Sequence, residues 1–302
     1  MIRILATDGI DKASGEKLRE LGYELTEQFF GPDDLAGQLK GYDAVIVRSA
    51  TKIDRPAIDA AVGTGRLKLI VRGGVGTDNI DVDYATKNGI EVCNTPNASS
   101  AAVAELAIAH IFTLARHLHE ANVTMREGKW EKNAYSGVEL AGKTLGLIGL
   151  GRIGRCVADK AKALGMDVVY YDIVGRAPGS DNYEYLEVDD LLVRADFISL
   201  HIPSYDMAVI TADEIAKMKD GVYIVNCARG GLIDEDAMLD ALDSGKVAGV
   251  GLDVYPEEPP KDERILKHPK ISLTPHIGAS TAEAQSRIGG EIVSIVSEKF
   301  GR

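Results

Sequence analysis

Short apolar runs alternate with amphipathic stretches along nearly the whole chain. In the first third the pattern predicts strands over 2–6, 24–27, 44–47, 67–71 and 90–93. Helical spacing of apolar positions fits 14–21, 32–39, 55–62 and 82–87 between them. Strands that are continuously apolar and separated by helices form a parallel sheet covered on both faces. The stretch 101–119 then reads as one long helix, small and apolar nearly all round, so it must be buried within its domain or against another subunit. Residues 124–138 read as a connecting helix and loop around Trp130. A second β–α series starts at Lys143, with strands over 143–149, 166–171, 196–202, 222–227, 247–252 and 270–274. Its helices fit 152–164, 188–193, 211–217 and 234–243, and an amphipathic helix over 283–300 closes the chain. The fold class is therefore α/β, with two doubly wound parallel-sheet domains.

A length of 302 residues suits about two domains. The net charge of −12 argues against a nucleic-acid surface. Cys93, Cys156 and Cys227 are odd in number and lie among small or apolar neighbours, as reduced thiols of a cytoplasmic protein do. The longest apolar run, 101–114, is too short to span a bilayer and contains Glu105 and His110, so no membrane partner is expected. His110, His117 and His119 lie on or near the 101–119 helix and read as packing or surface residues, and no metal site is expected.

Between the first two strands of the second series lies Gly149-Leu150-Gly151-Arg152-Ile153-Gly154, opening a helix. The strand after that helix ends in Asp172. This strand–turn–helix–strand order is the context a dinucleotide-binding turn needs. Gly149 allows the tight turn, Gly151 leaves the pyrophosphate unobstructed, and Gly154 lets helix and strand pack closely. The N–H groups at the helix start face the phosphates. Asp172 can accept hydrogen bonds from free ribose hydroxyls and would repel a 2′-phosphate, so the cofactor expected is NAD rather than NADP.

Three later strand ends carry reactive side chains: Arg229 in Asn226-Cys227-Ala228-Arg229-Gly230-Gly231, Glu258 in the loop from Asp253 to Pro260, and His276 in Thr274-Pro275-His276-Ile277-Gly278. An arginine, an acid and a histidine suit hydride transfer at an alcohol carbon. The histidine exchanges the hydroxyl proton, the acid orients it, and the arginine grips the neighbouring carboxylate. In the first series, Arg48-Ser49-Ala50-Thr51 and Arg72-Gly73-Gly74-Val75-Gly76 end two strands. Arg48 could pair with a second anionic group or simply tie its loop to a neighbouring acid. The glycine turn could offer backbone N–H groups to a carboxylate or serve only to reverse the chain.

These motifs together resemble the D-isomer-specific 2-hydroxyacid dehydrogenases over nearly the whole chain, most like short-form members that oxidise 3-phosphoglycerate to 3-phosphohydroxypyruvate. The resemblance implies catalytic Arg229, Glu258 and His276. It implies substrate contacts from Arg48, Ser49, Gly74, Val75, Gly76, Arg229 and His276. Cofactor contacts are implied for Arg152, Ile153, Asp172, His201, Pro203, Cys227, Ala228, Asp253, His276 and Gly278, beside the three glycines. It further implies a flavodoxin-like substrate domain over 1–98 and 283–302, a Rossmann NAD domain over 99–282, a cleft between them, and a homodimer or tetramer. Glyoxylate or hydroxypyruvate reduction is the alternative activity, and an NAD-sensing corepressor the alternative class. The sequence departs from the family at 204–208, where Ser-Tyr-Asp-Met-Ala replaces the usual Leu-Thr, and at Ser99, where relatives carry Asn. Because the chain stops at Arg302, feedback through a C-terminal regulatory domain is not expected.

Overall fold

The computed structural model describes residues 1–301. The chain divides into two compact units, Met1–Ser99 with the segment from Ala279 onward, and Ser100–Gly278.

The first unit runs β1 (Arg3–Ala6), α1 (Lys12–Glu20), β2 (Glu24–Glu27), α2 (Pro32–Leu39), β3 (Ala44–Val47), α3 (Arg55–Val62), β4 (Leu69–Arg72), α4 (Val82–Lys87) and β5 (Glu91–Asn94). Its strands are all parallel in the order β2-β1-β3-β4-β5, the flavodoxin-like arrangement. Every residue of central β3 is buried, so the strand reads as an unbroken apolar run. Asp11, Asp54 and Asp81 start α1, α3 and α4 by accepting the backbone N–H three residues on, each cap stabilising its helix by about 1 kcal/mol. The strand order reverses between β1 and β3, so the loops after these two strands flank the switch point where doubly wound sheets place their ligands. Those loops carry Asp8 and Arg48.

The second unit contains α5 (Ser100–Arg116), α6 (Leu118–Arg126), β6 (Thr144–Ile148), α7 (Arg152–Ala163), β7 (Asp167–Tyr171), β8 (Glu184–Tyr185), α8 (Val188–Arg194), β9 (Phe197–Leu200), α9 (Ala212–Lys217), β10 (Val222–Asn226), α10 (Glu235–Ser244), β11 (Val247–Leu252), α11 (Glu263–Leu266) and β12 (Ile271–Leu273). The parallel sheet is ordered β12-β11-β10-β9-β6-β7-β8. Read from β8 this is the doubly wound dinucleotide-binding order with one strand added, and its switch point falls between β6 and β9. The chain then returns to the first unit as α12 (Ala282–Phe300), capped by Thr281 and packed on α1 and β4.

Two expectations are corrected. The single helix expected over 101–119 is two helices, broken at His117, whose φ of 52° is left-handed. No glycine or proline marks the break, so the apolar period runs through it unwarned. The second sheet has seven strands rather than six, because Glu184–Tyr185 pairs with β7 at the edge; two residues are too few to show an alternation. No single helix among the described residues is long and apolar enough to cross a membrane. Helix α5 instead buries Ala102, Ala104, Ala107 and Ala115, small residues that let it lie close on α7 and on β10, β11 and β12.

Candidate active site

The glycine turn sits at the carboxyl end of β6, on the switch point. Gly149 has φ 96°, and a Cβ there would lie 2.5 Å from the His201 carbonyl oxygen. A Cβ on Gly154 would lie 2.3 Å from the Gly149 carbonyl oxygen, so helix and turn touch backbone to backbone. A Cβ on Gly151 would meet nothing within 4 Å. The space above Gly151 is therefore open while the turn beneath is closed, and Gly151, as the N-cap of α7, puts no side chain over the first N–H groups of that helix. Asp172 accepts from Leu150 N at 2.9 Å and from Val174 N at 3.2 Å. The carboxylate that would meet a ribose is thus fixed to the turn that would meet the phosphates. These features fit a dinucleotide.

His201 lies behind this turn. Its Nε2 is 3.0 Å from Ser199 Oγ, and its Nδ1 is enclosed without a hydrogen-bond partner. The residue keeps some accessible surface overall, but the ring is enclosed, and that burial pushes the imidazole down to about 4. It is a neutral ring packed against the turn. Cys227 is buried, which holds its thiol neutral, with the Asp253 charge acting in the same direction.

Arg229, Glu258 and His276 follow β10, β11 and β12, three neighbouring strands of one sheet. Buried Asn226 frames the first loop. Its Oδ1 accepts from Ala228 N at 3.0 Å and its Nδ2 donates to Arg229 O at 2.8 Å. A Cβ on Gly230 would lie 2.0 Å from the Tyr255 carbonyl oxygen, so only glycine lets the Arg229 loop approach the loop that carries Glu258. His276 Nδ1 lies 2.9 Å and 2.8 Å from the two Glu258 carboxylate oxygens. Burial alone would raise the Glu258 carboxyl. The His276 hydrogen bond and charge, the Tyr255 N–H and the Arg229 charge together outweigh it and hold the group below its ordinary value. With Nδ1 committed to the carboxylate, Nε2 is the atom that can exchange a proton.

His276 itself has φ 51°, left-handed for a residue that is not glycine, a conformation costing about 1–3 kcal/mol unless its surroundings enforce it. Asp253 enforces it. This acid is 1% exposed. Its Oδ1 accepts from Ile277 N at 2.8 Å and Thr274 Oγ1 at 2.7 Å, and its Oδ2 from Gly278 N at 2.8 Å. Asp253 and Gly278, both expected at the cofactor, are hydrogen-bonded to each other beside His276.

In the first unit, Asp8 Oδ2 accepts from Arg48 N at 2.6 Å and Thr51 N at 3.1 Å, while Oδ1 accepts from Thr51 Oγ1 at 2.6 Å. Asn79 Nδ2 donates to the carbonyls of Arg48 and Thr51 at 2.7 and 2.6 Å. The neighbouring acid thus holds the backbone of the 48–51 loop, and no described acceptor holds the Arg48 guanidinium. At the glycine turn, Gly74 N–H is spent on Arg72 O. The carbonyls of Gly74 and Val75 are taken by Thr95 N and Asn94 Nδ2. Among the described residues no acceptor takes the N–H groups of Val75 and Gly76. Asp8, Asn79 and Asn226 take no role of their own from the sequence. An acid just past a strand end, as Asp8 is, is a weak hint of such a clamp, visible only with its distant partner in view.

Residues 108–278 match the family model described as D-isomer specific 2-hydroxyacid dehydrogenase, NAD binding domain. The chain belongs to the D-isomer specific 2-hydroxyacid dehydrogenase family, and it is an NAD-dependent oxidoreductase of that family. It is 46% identical to a hydroxypyruvate reductase of Thermotoga maritima over 99% of this chain and 98% of that one. It is 43% identical to a D-3-phosphoglycerate dehydrogenase of Methanocaldococcus jannaschii over 99% of this chain, which spans 57% of that longer protein. A glyoxylate reductase from Paecilomyes thermophila has a similar solved structure, with TM-score 0.89, 36% identity, and coverage of 98% of this chain and 94% of that one.

Proposed function

We propose that this chain oxidises D-3-phosphoglycerate to 3-phosphohydroxypyruvate, or runs that reaction in reverse, with NAD as hydride partner. Arg152, Ile153 and Gly154 at the start of α7 would hold the pyrophosphate, and Asp172 the adenine-side ribose. Bound NAD supplies the hydride acceptor or donor for substrate C2. Within the protein, His276 Nε2 takes the hydroxyl proton in oxidation and returns it in reduction. Glu258 keeps Nδ1 protonated and stabilises the imidazolium that forms. Arg229 grips the substrate carboxylate and polarises the C2 oxygen. Val75 and Gly76 offer backbone N–H groups to a carboxylate, and Arg48 offers its guanidinium to a phosphate.

The observation that carries the phosphorylated substrate is the Arg48 loop: four hydrogen bonds hold its backbone and a fifth the Thr51 hydroxyl, while no acceptor among the described residues meets its guanidinium. A second reading, reduction of hydroxypyruvate or glyoxylate, is favoured by the 46% relative that matches this chain end to end. A panel of D-2-hydroxy and 2-keto acids with and without phosphate, followed by NADH absorbance, separates them. The first reading expects 3-phosphoglycerate to exceed D-glycerate in kcat/KM by at least tenfold; equal values would leave the second. A corepressor-like protein would bind NAD and turn over none of them.

A further inference from the structure

A hydrogen-bonded chain runs from the interior of the second unit to the loop that carries His276. His110 lies on α5 and is 2% exposed. Its Nδ1 is 2.9 Å from Ser272 Oγ and its Nε2 3.0 Å from Thr274 Oγ1, on β12 and just beyond it. Thr274 Oγ1 is in turn 2.7 Å from Asp253 Oδ1. A Cβ on Gly251 would lie 2.8 Å from His110 Cβ, so a strand position without a side chain makes room for the ring.

The donors in this chain can be assigned. The Asp253 carboxylate only accepts, so the Thr274 hydroxyl gives it its proton. The hydroxyl must then accept from His110, which places the imidazole proton on Nε2. Nδ1 is left as an acceptor for the Ser272 hydroxyl. Burial pushes the His110 imidazole below its ordinary value, only partly offset by the Asp253 charge, so the neutral tautomer this direction requires is the stable one. Every polar atom in the run is satisfied, and the run ends on the acid that fixes Ile277 N and Gly278 N.

We propose that His110 and Thr274 are positioning residues for His276, acting through Asp253. The donated Thr274 hydrogen bond sets the orientation of the Asp253 carboxylate, which grips the two N–H groups following His276 and keeps that residue left-handed with Nδ1 on Glu258. The inference rests on the acid–base role given to His276 above.

The test compares His110→Leu, Thr274→Val, the double variant and His110→Gln, whose amide N–H can still reach Thr274 Oγ1. Steady-state kinetics are read beside the His276 ring signals in 1H–13C NMR. Each single variant is expected to lower kcat about tenfold while KM for NAD stays within twofold. The double variant should lose no more than either single one, as members of one chain do, and His110→Gln should recover most of the loss. The His276 signals should move in His110→Leu and return in His110→Gln. Should His110→Leu fail to fold, Thr274→Val and His110→Gln carry the comparison. Unchanged kcat with unmoved His276 signals, or losses that add in the double variant, would overturn the proposal. If the wild-type protein reduces no 2-keto acid, the acid–base reading fails instead, and the His276 signals alone decide whether His110 positions that ring.

Discussion

In the second unit the side chains assigned to chemistry are themselves bonded. His276 is held by Glu258, and its loop is held by Asp253 behind it. In the first unit it is mainly the backbone of the two candidate loops that is bonded. Asp8 and Asn79 fix the 48–51 loop and Asn94 fixes the glycine turn, while among the described residues no acceptor meets the Arg48 guanidinium or the Val75 and Gly76 N–H groups. The difference matches two tasks. A proton-transferring group must sit in one place through the reaction, so its orientation is prepaid by buried acceptors. A recognition group only needs a fixed root, and its tip can adapt to the ligand.

Breaking the second unit's arrangement should have the largest effect. His276→Ala is expected to lower kcat by about 10²–10⁴-fold with NAD affinity retained. A near-normal kcat, measured by NADH absorbance at saturating substrate, would remove His276 from the chemistry. Acid should act through Glu258 in the same sense. Its carboxyl is held below its ordinary value in the folded protein, so the stabilisation it gives is present above the ordinary carboxylate range and lost as pH falls through the lowered value. In the reduction direction, where His276 acts protonated, the acid limb of kcat should therefore lie below the ordinary carboxylate range in the wild type and disappear in Glu258→Gln, which starts from a lower rate. An identical pH profile for the two proteins would contradict the pairing.

A stability effect of comparable size is expected at His201. Its folded value of about 4 lies below the ordinary 6.5, so the unfolded chain binds the proton first. Stability is expected to fall by about 3 kcal/mol as pH drops from 6.5 to 4. Denaturant melts of His201→Gln should show a shallower acid slope; an unchanged slope would assign the acid loss to other groups. A smaller effect is expected at the cofactor turn. Asp172→Ser should narrow the preference for NAD over NADP by about tenfold, one charge–phosphate repulsion of about 1.4 kcal/mol, and an unaltered ratio would show that other groups set the choice.

The legible and illegible parts of the molecule divide along the same line. The glycine turn, the strand ends and the trio Arg229, Glu258 and His276 could be read because each is a local pattern: an apolar run followed at once by a polar or glycine-rich loop. The supports could not. His110 finds its partners 162 and 164 positions along the chain, and Asp8 finds the 48–51 loop 40 positions away. As single letters these residues look like a packing histidine and a loop acid. The break at His117 was hidden for a different reason. A left-handed residue that is not glycine is set by what packs around it, so no turn residue announced it.

The contrast between the two units is tested most directly by the ratio of kcat/KM for 3-phosphoglycerate to that for D-glycerate, measured in the wild type and in Arg48→Ala. Arg48 acting only on the phosphate predicts that this ratio falls by about tenfold or more, a charge-assisted hydrogen bond of about 1.5–3 kcal/mol, with kcat for D-glycerate nearly unchanged. Equal losses on both substrates would mean that Arg48 serves the fold of its loop, and the division between a pre-bonded chemical site and an open recognition site would not stand.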